Sequence, residues 1–511
     1  SCSKEPLLTD VTEQGVSISR WVSLLLGLLF LMMPAMGSPT QALLQDTLKS
    51  AIVAFMTLAA LWVFFWRQTK HQNHLVRWHQ VMWIPLILLA CALLSMVWSH
   101  TYLAGVESVR WFLFSLILWL GANCKTEDLQ NRVIWSIHWG STIASVWAAL
   151  QFWFEFDFFP QGPIPGSTFV NRNFFAEYAI CVLPYSLFLL LRSKPGVRAF
   201  ILVFSIGLNI VALLMTGTRS ALVALTFLFF LLPFVYIRCR RSLESSSWTT
   251  WHGIAIAGVL AGTIVSLGSI PTGNAKLITE FGALNPVQRA SVRAASIAVS
   301  EEYSSGSFSL RAAMWKTTIH MIADKPLFGV GAGAWEVHSP VYQQPSAPLD
   351  TDYYAHNEYL QLLAEYGLAG GLVLICLVTY FLRSAWKAWD DTSPTGFEER
   401  PFRAAALGSL LMLFVVSSLG FPWRMAATGA LFSVSLSFLA ASDIRTGAWT
   451  HTLQASGERI KLLSKWGLAM CAICITMSIY ITQRAVRSEW AIVQSIKLAL
   501  TITKSGKPHH A

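Results

Sequence analysis

The chain has 511 residues and a formal net charge of +10; 54% of its residues are hydrophobic and only 13% are charged. Soluble globular domains carry about 25% charged residues, so this composition excludes a soluble globular protein. In a membrane protein, the placement of Lys and Arg over the loops is more informative than their sum.

Apolar runs of the length that crosses a bilayer, about 20 residues, recur along most of the chain. We therefore predict an all-α polytopic membrane protein with about 12–13 transmembrane helices. The candidate spans are 21–36, 50–66, 81–98, 105–121, 133–154, 174–191, 199–215, 220–237, 253–270, 367–382, 404–421, 425–441 and 466–482.

One long polar interval interrupts this series of spans and is expected to form a large, partly helical loop. It begins with an amphipathic, Arg-bearing segment and ends against an apolar run. The predicted division of the chain is an N-terminal cytoplasmic tail (1–20), nine spans (21–270), the long loop (271–366), four spans (367–482) and a basic C-terminal tail (483–511).

The distribution of Lys and Arg predicts the orientation. With the N-terminus inside, the inner loops hold nineteen of these residues, whereas the short outer loops and adjoining span ends hold five. Cytoplasmic loops are enriched in Lys and Arg. The long loop then lies outside, which in a bacterium is the periplasm, and the tail after residue 482 lies on the same side.

Three short outer segments each carry a single arginine close to the membrane: Arg172, Arg219 and Arg424. An isolated guanidinium there is costly. An anionic partner would offset the cost, and Arg binds phosphate through a planar fork of N–H groups. The alternative is contact with lipid headgroups or an ion pair with an acidic neighbour: Glu155, Asp157 or Glu177.

His356 is the candidate base for a reaction at the membrane surface. It precedes a helix that the apolar spacing from Tyr359 to Tyr366 predicts. A helix N-terminus favours neutral imidazole, which is the form that accepts a proton near pH 7. The alternatives are a hydrogen-bonded interfacial histidine, or a base at His320 or His338.

Asp350 and Asp352 form a DxD sequence shortly before His356. Either carboxylate can orient the second ring nitrogen of His356. In some glycosyltransferases such a pair holds a divalent cation, but a lone DxD in a loop is a weak signal, and we expect no metal site.

Two further patterns suggest ligand sites but favour plainer interpretations. Gly329, Gly331 and Gly333 form GxGxG without a surrounding strand–helix unit, which disfavours a dinucleotide site and favours a tight turn. The inner loop that holds His71, His74 and His79 also holds basic residues, which disfavour a cation site, so we predict a solvated cytoplasmic loop.

These segments together resemble the O-antigen ligase and polymerase superfamily. The family pattern H-[NSQ]-x9-G-x-x-[GTY] is matched by His356-Asn357, nine residues, and Gly367-Leu368-Ala369-Gly370. Supporting segments, in the order of the family, are Asn171-Arg172-Asn173, Thr216-Gly217-Thr218-Arg219-Ser220, Arg311 through Trp315, and Pro326 through Gly333. The resemblance covers roughly 160–440, while the long N-terminal tail and the thirteenth span with its basic tail depart from the usual family core.

The resemblance implies a glycosyltransferase of the bacterial inner membrane with its active site facing the periplasm. Its donor is a glycan on undecaprenyl pyrophosphate, its acceptor in ligases is a hydroxyl of lipid A–core, and it uses neither a metal nor a cofactor. Polysaccharide polymerisation and protein O-glycosylation are alternatives within the superfamily. A transporter of anions or lipid-linked substrates is the alternative from another class. Membrane lipids are expected partners, whereas nucleic acid is not.

The resemblance also implies roles for individual residues. His356 would be the catalytic base of an inverting transfer, and Arg219, Arg172 and Arg311 would bind the pyrophosphate. The supporting residues are Asn357, Asp352, Tyr359, Gly367 and Gly370.

Overall fold

The computed structural model describes residues 6–40, 43–70, 75–243, 249–298, 306–343, 354–447, 450–454 and 457–505. These residues are almost entirely helical, which confirms the predicted all-α polytopic class. The helices are α1 (Pro6–Ala35), α2 (Gln45–Thr69), α3 (Trp83–Ser95), α4 (Thr101–Ala122), α5 (Thr126–Trp153), α6 (Arg172–Arg192), α7 (Val197–Thr216), α8 (Arg219–Leu243), α9 (Thr250–Gly268), α10 (Ala275–Phe281), α11 (Pro286–Ala295), α12 (Ser307–Asp324), α13 (Trp335–Tyr342), α14 (Glu358–Asp390), α15 (Pro394–Ser417), α16 (Ala426–Arg445) and α17 (Gly457–Ser505).

The long apolar helices account for the predicted spans. Within the described parts of the chain, 11 helices are long and apolar enough to cross a bilayer, and two shorter apolar helices cover Ser19–Ala35 and Gln80–Ser95. Each predicted span lies on one of these helices. The chain is therefore a multi-pass membrane protein.

Burial distinguishes central from peripheral spans. The apolar window of α16 is 94% buried and that of α6 is 83% buried, whereas those of α9 and α17 are each 11% buried. Helix α16 is rich in Ser and Ala, and small residues let neighbouring helix backbones approach closely. The candidate functional segments are attached to this central part of the bundle.

A small sheet was not predicted from the sequence. Strand β1 (Leu75–His79) pairs antiparallel with β2 (Thr450–Gln454). This pairing draws the loop against α16, where His79 is buried and its Nε2 lies 3.4 Å from Asp443 Oδ2. The prediction of a solvated loop is therefore wrong at His79, because the strand pairing and the carboxylate hold it inside; His71 and His74 lie outside the described residues.

The last helix extends well beyond a membrane span. Helix α17 has 49 residues, which at about 1.5 Å per residue is about 73 Å, against about 30 Å for a hydrocarbon core. Leu44 N donates to Glu489 Oε2 at 2.9 Å, so this part of α17 lies level with the start of α2. The segment 483–505, predicted as a separate tail, continues the last spanning helix.

The long polar interval holds four complete α-helices, α10 to α13, in its described parts. Asn274 caps α10, and Asn285 caps α11 through a reciprocal pair of bonds with Gln288. All four helices lie at the end of the membrane spans where α6 and α8 begin. Because His356 lies at the same end, we call it the His356 end, and we call the opposite one the far end.

Helix α14 bends sharply where the sequence predicts the start of a span. Gly367 has φ 55°, a left-handed conformation that favours glycine. An added Cβ there would meet Leu327 O at 2.5 Å, and Leu368 N donates to the same carbonyl at 3.1 Å. The bend separates a short outer segment, 358–366, from the part of α14 that crosses the membrane.

The GxGxG turn packs on this outer segment. Val330 N donates to Ala364 O at 2.9 Å, and Gly331 N donates to Glu365 O at 3.1 Å. The three glycines of the turn all have positive φ. The motif is therefore a tight turn, as predicted, and its glycines allow two backbones to come within hydrogen-bonding distance.

Candidate functional site

His356 lies in the turn that leads into α14. Its φ of 52° is uncommon for a residue with a side chain, and such conformations concentrate at functional sites. The half-buried imidazole packs edge-on against Phe421, with ring centroids 4.9 Å apart. Phe421 belongs to the turn between α15 and α16, so the central part of the bundle positions the histidine.

Asn357 fixes the start of α14 beside the histidine. Its Oδ1 accepts bonds from Tyr359 N and Leu360 N, both at 3.1 Å, and its Nδ2 donates to Ser418 O at 3.2 Å. Tyr359 adds a bond from its hydroxyl to Phe414 O at 2.6 Å. Both predicted supporting residues therefore connect the helix that follows His356 to α15 and its C-terminal turn.

A chain of hydrogen bonds connects the His356 turn to the glycine turn. Ala355 N donates to Gln361 Oε1 at 2.9 Å, and Gln361 Nε2 donates to Glu365 Oε1 at 2.9 Å. The other oxygen of Glu365 accepts from Gly333 N at 3.1 Å. The residues between the His and Gly positions of the family pattern thus carry the contacts that hold the two turns together.

Arg424 is the buried cation of this region. It contacts Glu365 at 2.8 Å, Glu107 at 3.3 Å and Glu358 at 3.5 Å. Burial opposes its charge, but the three carboxylates together raise the pKa of Arg424 well above its usual value. Arg424 therefore forms ion pairs, which was the alternative considered for these arginines, but its acidic partners are not Glu155, Asp157 or Glu177.

Arg172 and Arg219 are brought together by the packing of two helix starts. Arg172 is the first residue of α6, and Arg219 is the first residue of α8. Thr218 Oγ1 donates to Asn173 Oδ1 at 3.1 Å and joins the two starts. Two predicted pyrophosphate ligands therefore lie side by side at the His356 end.

A carboxylate lies in the fork of Arg172. Nη1 is 3.1 Å from Glu280 Oε2, and Nη2 is 3.0 Å from Glu280 Oε1. This two-bond geometry is the one in which Arg also holds a phosphate. Glu280 comes from α10 in the long loop and was not among the acidic partners considered from the sequence.

Two arginines of α11 join the same region and were missed in the sequence analysis. Arg293 Nε donates to Gly217 O at 3.2 Å, and Arg289 Nη2 lies 3.7 Å from Glu280 Oε2. Arg289 is only 2% exposed, and burial together with the positive charges of Arg172 and Arg293 lowers its pKa to about 10. The available signal was their spacing of four residues, which places both on one face of a helix.

Arg311 approaches the cluster from α12. Arg219 donates from Nε to Ser296 Oγ at 3.1 Å and from Nη1 to Ser307 Oγ at 3.2 Å. Ser307 and Arg311 are four residues apart on α12 and share a helix face. We use the term arginine cluster for Arg172, Arg219, Arg289, Arg293 and Arg311.

Glu177 lies near both Arg311 and the turn that contacts His356. It is buried on α6, within electrostatic range of Arg311. A Cβ on Gly420 would collide with Glu177 Oε1, so the carboxylate lies directly against this residue. The next residue, Phe421, contacts His356, and no motif in the sequence indicated this proximity.

The remaining predicted residues either make none of these contacts or lie outside the described residues. Gly370 is buried in α14, where an added Cβ would meet Leu362 O at 2.5 Å. His320 is exposed and His338 is half-buried on α13. Asp352 lies outside the described residues, so its orienting role and the DxD metal alternative both stay predictions. Among the residues that are described, no group of His, Cys, Asp and Glu has the arrangement of a metal site.

Comparison with known families adds an independent finding. Residues 200–375 match the family model described as O-antigen ligase. The match supports the predicted resemblance of this segment to the O-antigen ligase superfamily. The matched segment contains Arg219, the whole long loop and His356, whereas Arg172 and Arg424 lie outside it. The family match indicates an enzyme of the glycosyl-transfer class. A comparison with curated proteins finds no match.

The buried position of Arg424 predicts a large loss of stability when its charge is removed. Arg424→Gln leaves three carboxylates without their shared cation, which for a buried pair costs about 3–5 kcal/mol. We expect a lower thermal unfolding midpoint for the purified protein. The control is Arg459→Gln, which removes an exposed arginine at the start of α17. Equal midpoints for the two variants would contradict the assignment.

Proposed function

We propose that the protein is a glycosyltransferase of the bacterial inner membrane that moves a glycan from undecaprenyl pyrophosphate to an acceptor hydroxyl. O-antigen ligation to lipid A–core is the reaction we favour. The observation that carries the proposal is the position of the arginine cluster and His356 at the same end of the spans, within and beside an O-antigen ligase segment. In this proposal that end faces the periplasm.

The arginine cluster has the charge that a pyrophosphate requires. Its five guanidinium groups supply positive charge, Glu280 lies against Arg172 and Arg289, and Glu177 lies within electrostatic range of Arg311. The lowered pKa of Arg289 reflects burial and crowding by like charges. The negative charge of a bound pyrophosphate would offset both effects, and the pyrophosphate would displace Glu280 from the fork of Arg172.

The histidine supplies the proton acceptor. The acceptor hydroxyl gives its proton to neutral His356, and its oxygen forms a new bond to the anomeric carbon. The bond from that carbon to the pyrophosphate oxygen breaks, and undecaprenyl pyrophosphate leaves with the electron pair. A single displacement of this kind inverts the configuration at the anomeric carbon.

Fixed cations suit this reaction because the leaving group gains charge during transfer. Preorganised positive groups stabilise such charge most when they need no rearrangement. The periplasm lacks ATP, so the energy for the new bond must already reside in the phosphate ester of the donor. The arginines supply the stabilising charge from the protein itself, which is why we propose a reaction that needs no metal.

The placement of charge also bears on the transporter alternative. Transporters build their substrate sites near the membrane midplane, often from broken helices. The arginine cluster instead lies at helix starts and on the loop helices α11 and α12. This position favours a reaction at the membrane surface.

Replacement of the histidine should abolish transfer without loss of the donor site. We expect His356→Ala to lower the transfer rate by about 10²–10⁴, the usual effect of losing a general base. The measurement is product formation by the purified protein in liposomes with a lipid-linked glycan and an acceptor. His320→Ala, at an exposed position of the same interval, is the control. A near-normal rate for His356→Ala would remove this residue from the mechanism.

The arginine cluster predicts opposite effects for two kinds of variant. Arg219→Lys and Arg289→Lys keep the charge but lose the planar fork, so we expect the KM for the donor to rise by about tenfold or more, the loss of one charge-assisted bond. Glu280→Gln removes the competing carboxylate and should lower that KM.

The matched control for these variants is Arg240→Lys, an exposed arginine on the far end of α8. All variants are compared at equal amounts of folded protein. A wild-type KM for Arg219→Lys, or a raised KM for Glu280→Gln, would contradict a phosphate site at this cluster.

A further inference from the structure

A second candidate binding site lies at the far end of the membrane spans. An apolar cavity of about 320 Å³ opens between α6, α8, α14 and α15. Its walls include Leu187, Leu228, Leu232, Phe381 and Leu411. The volume falls in the range of about 300–1,000 Å³ found for ligand pockets, whereas close-packed interiors contain few voids larger than a water molecule.

Two arginines border this cavity. Arg238 donates to the carbonyl oxygen of Trp389, and its guanidinium lies 5.4 Å from the centre of that indole ring. Arg400 donates to Ala388 O at 2.9 Å and to Asp391 O at 2.7 Å. Both guanidinium groups therefore bond to backbone carbonyl oxygens.

Neither arginine forms an ion pair within the described residues. The carboxylate of Asp391 lies within electrostatic range of Arg400 but is not ion-paired with it, and it accepts a hydrogen bond from Ser393 N at 2.9 Å. Arg238 and Arg400 also lie within electrostatic range of each other, and the Nε of Arg238 is buried without a hydrogen-bond partner in the part of the chain described. The mouth of an apolar cavity thus carries two positive charges that form no ion pair with a carboxylate of the described residues.

We propose that this cavity binds an anionic phospholipid, with an acyl chain between the four helices and the phosphate against Arg238 and Arg400. The two halves of the site match the two halves of that ligand, because the walls are apolar and the charge lies at one end. Basic pockets between transmembrane helices bind anionic lipid headgroups. The lipid belongs to the leaflet opposite the one that His356 faces.

The charge distinguishes this occupant from the other chains that a membrane offers. A neutral phospholipid fits the walls but leaves the two arginines without a net counter-charge. The polyprenyl tail of the proposed donor would carry its phosphates at the His356 end and would bring only hydrocarbon to this cavity. An anionic phospholipid of the far leaflet satisfies both the walls and the arginines.

Lipid titration of the purified full-length chain, followed by native mass spectrometry, tests the proposal. The probes are phosphatidylglycerol, phosphatidylcholine with the same acyl chains, and undecaprenyl phosphate. We expect tighter binding of phosphatidylglycerol, and a loss of about fivefold in its affinity for each arginine removed, measured with Arg238→Gln and with Arg238→Gln/Arg400→Gln. Ala404→Phe, which fills part of the cavity, should weaken binding of both phospholipids.

The matched control is Arg240→Gln/Arg241→Gln, which removes the same charge from exposed residues beside the cavity that do not line it. Unfolding midpoints establish that each variant is folded. If the double variant that includes buried Arg400 does not fold, the affinity of Arg238→Gln alone tests the proposal. Equal affinities for the two phospholipids would overturn the proposal. So would an equal loss in the control variant, or displacement of phosphatidylglycerol by undecaprenyl phosphate at matching affinity.

Discussion

The contacts of Arg424 with three carboxylates are the constraint on which the His356 end depends. Glu107 comes from α4, and Glu358 and Glu365 come from the outer segment of α14, so one guanidinium holds two helices and the α15–α16 turn together. Breaking a buried pair of this kind costs about 3–5 kcal/mol because the remaining charges stay buried. Arg110, which contacts Glu107, adds a second positive charge. Because the same turn carries Phe421, the position of the His356 ring follows from this cluster.

The spacing of the histidine motif acquires a physical meaning from these contacts. Asn357 caps the helix, Glu365 links the guanidinium to the glycine turn, and Gly367 bends the helix into the membrane. A shorter or longer interval would rotate Glu365 away from Arg424, since one residue turns an α-helix by about 100°. The nine residues between the two halves of the pattern therefore set the position of the Glu365 carboxylate relative to Arg424, and the bend at Gly367 follows directly after them.

The sequence predicted the features that depend on local chemistry. Apolar runs predicted the spans because a bilayer sets their length, and the apolar spacing from Tyr359 to Tyr366 predicted the helix that follows His356. It did not predict contacts between distant segments: Glu107 with Arg424, Glu280 with Arg172, or the pairing of β1 with β2. Arg289 and Arg293 were missed for a related reason. Charges in a long loop carry no orientation signal, and only the folded loop shows that they face the start of α8.

The central claim is that fixed arginines and a histidine transfer a glycan from a lipid pyrophosphate to a hydroxyl. The most direct measurement combines the purified protein in liposomes, a lipid-linked glycan, lipid A–core and excess EDTA, with the products identified by mass. The account predicts a product whose mass is that of the acceptor plus the free glycan minus one water. It also predicts release of undecaprenyl pyrophosphate and the same rate with and without EDTA. Absence of transfer to any hydroxyl acceptor, or activity that disappears in EDTA and returns with Mg²⁺ or Mn²⁺, would contradict it.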